Sequence, residues 1–247
     1  DDELVEEVVL QDENALRNVS SGTGFFINNN GYLISNYHVV EICQEVKTQL
    51  SGKTYGINIL ASDKANDLVI GKIESSKNEF LPISSEGAYL GDEIIVAGFP
   101  YSDVLSDSVK ITSGIISSMS GLGNNYSLLQ IDAAVQSGNS GGPLLNSSGE
   151  VVGVTVSKLD ATKILEERGE IPENINFAVK SENLTTFLRA NQVNFIRSNS
   201  VAKMSRREVA SNAQKATIFL QCYNSIANLK KIMSGEQKVS RQLFVDF

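Results

Sequence analysis

The chain has 247 residues, 41% of them hydrophobic and 20% charged, with a net charge of −8 and an isoelectric point near 4.8. This is ordinary globular composition, long enough for one large domain or two small ones. The acidic balance argues against general nucleic-acid binding, and no apolar run approaches the roughly 20 residues that a membrane-spanning helix needs.

Residues 1–18 open on DDELVEE and read as an acidic, mildly amphipathic arm. They hold no basic-then-apolar signal segment, which leaves room for a leader removed beforehand. From Gly22 the texture changes. Short apolar runs such as TGFFI, YLISNYHVV, YGINILAS, NDLVIGKI, DEIIVAGFP, VKITSGIISSM, YSLLQIDAAV, GPLLN, EVVGVTVS and INFAVK alternate with turn signals such as NNNG, SGK, GLGNN and NSSGE. Many short strands with frequent turns predict an all-β sandwich or barrel. One barrel of six or seven strands is too small for all of them, and two packed barrels fit better. Two helices interrupt the pattern. Asp160 is placed to cap ATKILEER, which Gly169 ends, and Ser181 to cap ENLTTFLRA, whose Leu184, Phe187 and Leu188 share one face. After residue 191 a helix from Ser205, a strand-like ATIFLQCY and a helical NSIANLKKIM follow.

Charge is unevenly spread. From Asn191 onward nine Lys/Arg face three Asp/Glu, or +6, which leaves −14 for the rest of the −8 chain. Solvated helix faces account for this, and a basic tail docked on the acidic body or on a partner is the sharper alternative. The single histidine excludes a multi-histidine metal site. Two cysteines, Cys43 and Cys222, are too few for a disulfide scaffold and form no CxxC zinc signal. No metal and no cofactor are therefore expected.

The chemistry concentrates in QSGNSGGPLL, residues 136–145. A serine hydroxyl is a weak nucleophile until a base takes its proton and a third group orients that base. Ser140 therefore requires a histidine and a carboxylate. The histidine is His38, at the end of a strand-like run. Of the carboxylates, Asp67 stands directly before the apolar Leu68-Val69-Ile70, and Asp63 four residues earlier is its rival. The order His, Asp, Ser is that of chymotrypsin, not of subtilisin or the α/β-hydrolases.

The chain resembles the trypsin-like serine proteases, and within them the HtrA/Deg branch. SGTGFFINNNGYLISNYHVV, SDKANDLVIGKI, VAGFP, ITSGIISSM, QIDAAVQSGNSGGPLLNSSGEVVGV and INFAVKSENL carry the resemblance, over about residues 20–190. It implies two packed six-stranded antiparallel β-barrels, followed here by a mixed helical extension. The boundaries expected are an arm over 1–18, a protease domain over 19–190 and a basic C-terminal extension over 191–247 packed on the protease body. The resemblance makes His38 the general base, Asp67 its orienter and Ser140 the nucleophile, with the oxyanion hole on the N–H groups of Gly138 and Ser140. Its primary pocket falls on Ala134, Val135, Thr155, Val156, Ser157 and Asn176, none of them charged. The expected activity is endopeptidase cleavage of unfolded or partly folded polypeptides. The alternative is a binding module on the same fold that recruits a partner through its cleft or tail.

Departures limit what carries over. Asn139 stands where digestive enzymes have the aspartate that pairs with a freed N-terminus, so zymogen activation by N-terminal insertion is not expected. The residues after 190 do not read as a PDZ domain. Residues 1–18 hold no aromatic, so the trimer contact of many HtrA proteins is not carried over, and the oligomeric state stays open. The resemblance also implies a periplasmic or secreted location, where a disulfide persists. Cys43 and Cys222 are then either buried free thiols or a bridge that holds the run 217–224 as an extra strand against the N-terminal barrel.

Overall fold

The computed structural model describes residues 12–74, 78–102, 106, 108–156 and 174–235. Six strands open the chain: β1 (Arg17–Phe26), β2 (Tyr32–Ser35), β3 (Glu45–Leu50), β4 (Lys53–Gly56), β5 (Asn58–Asp63) and β6 (Leu68–Lys72), with a single helical turn, α1 (Tyr37–Val40), after β2. Eight more follow: β7 (Ile83–Ser84), β8 (Glu93–Gly98), β9 (Lys110–Ser118), β10 (Leu128–Ile131), β11 (Pro143–Leu145), β12 (Val151–Val156), β13 (Asn176–Lys180) and β14 (Arg197–Ser198). The last strand among the described residues is β15 (Thr217–Asn224).

The second sheet runs β11-β8-β9-β10-β13-β12-β7-β14. A further pairing of β11 with β12 closes its first six strands into a barrel. Leu129, Ile131, Leu144 and Val152 fill the interior, as alternating inward residues of a small barrel must. The first sheet runs β4-β3-β15-β1-β2-β6-β5 and curls without closing. The two form the double-barrel frame of the chymotrypsin-like fold. A third apolar cluster joins them, with Phe25, Ile27 and Ile34 of the first sheet against Leu145, Val151 and Val154 of the second.

β15 joins the first sheet from the far end of the chain. It lies between β1 and β3, antiparallel to both, with Cys222 opposite Val46 and Phe219 opposite Thr23. Its alternation explains the fit: Ile218, Leu220 and Cys222 point into the core while Phe219, Gln221 and Tyr223 point outward and stay half-buried. Cys222 is bonded to Cys43, Cα to Cα 5.2 Å, across 179 residues of chain.

Among the described residues three further helices surround this frame: α2 (Ser181–Ala190), α3 (Arg206–Ala216) and α4 (Ile226–Met233). Leu184, Phe187 and Leu188 of α2 are buried. Ser181 is the first residue of α2, and Lys180 occupies the capping position without a side-chain cap. The chain enters α2 directly from β13, so the ladder, not a side-chain oxygen, sets its start. Ser205 and Glu208 cap α3 reciprocally. Val209, Ala213 and Ala216 then bury one face of α3 in the cluster between the sheets. Glu13, in the turn before β1, meets α4 through its carbonyl and an ion pair with Lys230. The helix expected after Asp160 lies outside the described residues.

Candidate active site

α1 carries His38 on the first sheet, with Val39 and Val40 buried in that sheet's apolar cluster. Its imidazole Nδ1 lies 2.6 Å from Asp67 Oδ2, and its backbone N–H donates to Asp67 Oδ1 at 2.9 Å. Asp67 therefore holds the residue at ring and backbone together, a charge-assisted arrangement that fixes both position and tilt. Asp63 is occupied otherwise. Its carboxylate accepts from the N–H groups of Ala65 and Asn66 and from Asn66 Nδ2, capping its own turn.

Asp67 reaches His38 from a left-handed backbone, φ 54°, a conformation costing a non-glycine residue about 1–3 kcal/mol. Neighbouring bonds hold it there. Asn36, fully buried, donates its side-chain amide to the Asp67 carbonyl at 2.8 Å, and the Tyr37 N–H adds a longer bond to the same oxygen. The Tyr37 hydroxyl is held above its ordinary pKa by burial and by the nearby Glu41 carboxylate.

Ser140 is 4% exposed, in the loop between β10 and β11. One flank of the loop is tied to β12, where Gly141 N–H donates to the Thr155 carbonyl and Thr155 N–H to that of Gly142. The other is tied to β1. Thr23 N–H donates to the Ser140 carbonyl at 2.9 Å, and Thr23 Oγ1 donates to the Gly138 carbonyl while accepting from Phe99 N–H. Tyr101 holds the next residues back, its N–H on the Ser137 carbonyl and its hydroxyl on Gln136 Oε1.

Two glycines make this path possible. Gly138 (φ 100°) and Gly141 (φ 84°) both lie in the left-handed region. A Cβ at the first would strike the Phe99 carbonyl, and one at the second the Thr23 carbonyl and the Ser35 hydroxyl. Gly141 also abuts the backbone of Asn36, so the serine loop lies directly against the segment that carries His38.

The residues expected to form a pocket are distributed around this loop. Thr155 is buried beside Gly141 and Val156 pairs with Phe177. Asn176 donates to the Ala133 carbonyl at 2.9 Å, and Thr112 to that of Ala134. Ala134 is exposed, whereas Val135 packs into the barrel interior. Ser157 lies outside the described residues. Thr23, Asn36 and Tyr101 did not stand out in the sequence, because their partners are remote: Thr23 and Gly138 are 115 residues apart, Asn36 and Asp67 31. Among the described residues no group of three His, Cys, Asp or Glu could hold a metal ion.

A histidine–aspartate pair on a curled half-barrel sheet, facing a glycine-cradled serine on a closed barrel, defines the trypsin-like class. The family model described as trypsin-like peptidase domain matches residues 22–154, and the chain belongs to that family. An uncharacterized protein, y4bJ, of Sinorhizobium fredii is 37% identical over 82% of this chain and 32% of its own length. Serine endoprotease DegS of Haemophilus influenzae is 30% identical over 73% of this chain and 52% of its own length. The crystal structure of the serine endoprotease from Yersinia pestis superposes with a TM-score of 0.58 at 27% identity, covering 71% of this chain and 61% of that one. These matches agree with the HtrA/Deg resemblance. The chain spans about a third to a half of the length of these curated relatives.

Proposed function

We propose that the chain is a serine endopeptidase that hydrolyses peptide bonds in unfolded or partly folded proteins. The observation that carries the reading is the two-point hold of Asp67 on His38, beside a serine loop tied down on both flanks. With Nδ1–H donating to Asp67, Nε2 is left to take the Ser140 proton as Oγ attacks a carbonyl carbon. The backbone N–H groups of Gly138 and Ser140 receive the developing oxyanion, each worth on the order of 3 kcal/mol. The imidazolium returns its proton to the leaving amine. Water, activated by the same histidine, then hydrolyses the acyl-enzyme. These steps use only side chains, backbone and water.

We read residues 19–190 as the catalytic unit, with 191–247 as an extension integrated into it through β15. The relatives include a probable periplasmic serine endoprotease, DegP-like, of Chlamydia trachomatis, which together with the disulfide supports a periplasmic or secreted setting. The described residues assigned to the pocket, Ala134, Val135, Thr155, Val156 and Asn176, carry no charge, so cleavage after Val, Ala, Ile or Leu is expected. Single methylenes then grade the preference, at about 1–3 kcal/mol each. A fluorophosphonate probe should modify Ser140, and mapped digests of a denatured protein should show aliphatic residues before the cut. An unlabelled Ser140 would overturn the activity, and dominant cleavage after Lys or Arg would overturn the pocket.

A further inference from the structure

Ser140 lies on a loop with two flanks, and a polypeptide attacked at one carbonyl must leave over both. The flank tied to Thr155 leads along β12 to Thr155 and Val156, two of the residues assigned to the acyl side of the cut. The other, held by Thr23 and Tyr101, opens onto a groove of about 440 Å³. Ser21, Gln49, Phe99, Ser102, Phe219 and Gln221 line it. The groove adjoins the nucleophile loop. The Phe99 carbonyl faces the α-carbon of Gly138. Phe219 is the cross-strand partner of Thr23, whose N–H binds the Ser140 carbonyl. The Phe99 and Phe219 rings meet at 5.5 Å, within the range of favourable aromatic pairs.

From this juxtaposition we infer that the groove binds the segment of the polypeptide substrate on the leaving-group side of the cut bond, and that β15, at the far end of the chain, supplies its wall. The inference rests on the endopeptidase reading above. The groove's described lining is uncharged and mixes hydroxyls, amides and two aromatic rings, which suits an extended backbone bearing neutral side chains. Phe219 and Gln221 are the specificity-determining residues, because they point outward from β15 while its core contacts are made by Ile218, Leu220 and Cys222. Lys47 stands opposite Gln221, but its amine is drawn to Glu45 at 2.6 Å and over the Tyr223 ring at 4.8 Å.

The test compares wild type, Gln221→Glu and Gln221→Lys on fluorogenic peptides with one acyl half and with Lys, Gln or Glu at each of the first three positions after the cut. At one of these positions the ratio of kcat/KM for the Lys peptide over the Glu peptide should rise about fivefold in Gln221→Glu and fall about fivefold in Gln221→Lys, the span expected of a partly exposed ion pair. Both shifts should shrink in high salt. A folding defect would lower all peptides alike, and Lys47 is common to the three proteins, so neither produces opposite shifts. Unchanged ratios at all three positions, with cleavage intact, would overturn the groove assignment alone. Absence of cleavage and of Ser140 labelling in the wild type would overturn the endopeptidase reading, and the groove with it.

Discussion

The two halves of this molecule are built on different principles. The second barrel is made of strands that lie between residues 93 and 180 and closes on itself. The first sheet stays open and takes β15 from more than 140 residues after β6. Joining such distant segments costs loop-closure entropy, and here a covalent bond offsets part of it. The Cys43–Cys222 disulfide sits five residues after His38, where β15 meets the end of α1. A half that closes on itself needs no such device. The half that carries His38 and Asp67 depends on the far end of the chain for its integrity.

The largest expected effect tests whether chemistry needs both halves. Ser140→Ala, on the closed barrel, and His38→Ala, on the open sheet, should each lower kcat by on the order of 10⁴–10⁶, non-additively when combined. Asp67→Asn should fall steeply too, whereas Asp63→Asn should stay near wild type because Asp63 serves its own turn. Steady-state kinetics on a peptide substrate, with circular dichroism to confirm folding, decides this.

Removing the cross-link should separate the halves energetically. On the chain-entropy model a bridge closing a loop of 179 residues contributes about 5 kcal/mol. Cys43→Ala/Cys222→Ala should lose much of that in urea unfolding. Amide exchange should then rise first in β3 and β15 and last in β8–β13. Uniform loss of protection would argue that the halves unfold together.

Asn36→Ala sharpens the same contrast within the site. It removes the amide that holds the Asp67 carbonyl, so kcat/KM should drop on the order of 10²-fold, as small misplacements of catalytic groups do. The chain has one histidine, so the His38 ring signals are free of overlap in NMR, and the ring N–H proton bonded to Asp67 should exchange faster with water as the carboxylate loosens. An unchanged exchange rate would assign Asn36 to packing alone.

The smallest effect belongs to the second sheet and its C-terminal neighbours. Burial pushes the Glu150 carboxyl upward, but hydrogen bonds from Ser198, Asn146, Ser200 N–H and Ser84 outweigh it and hold the group below its ordinary range. A depressed folded-state pKa means stability present above the unfolded value, near pH 4.3, and lost as pH falls through the folded value. Glu150→Gln should therefore cost about 1–3 kcal/mol near neutrality. The gap to wild type in thermal unfolding should narrow below about pH 4.

Local chemistry made much of this legible. The strands between Gly22 and Lys180 follow from short apolar runs between turn residues, because a pleated strand needs only its own alternation and a stop at each end. His38 and Ser140 stand out for the same reason, since a nucleophile loop needs glycines beside it whatever the rest of the chain does. The alternation of ATIFLQCYN likewise marked it as a strand. Where that strand goes is another matter. Its place between β1 and β3 depends on a matching edge and on the cysteine it meets, neither visible in the run itself. Asp67 and Asp63 were rivals on paper because they are carboxylates only four residues apart in the same short stretch. Only the backbone turn that puts Asp67 in the left-handed region, under the Asn36 amide, brings one of them to His38. Thr23, Asn36 and Tyr101 likewise take their roles from partners distant in the chain. Hydrogen-bond donors of these types are common along any sequence, and which acceptor each one meets is decided by the packing of two sheets.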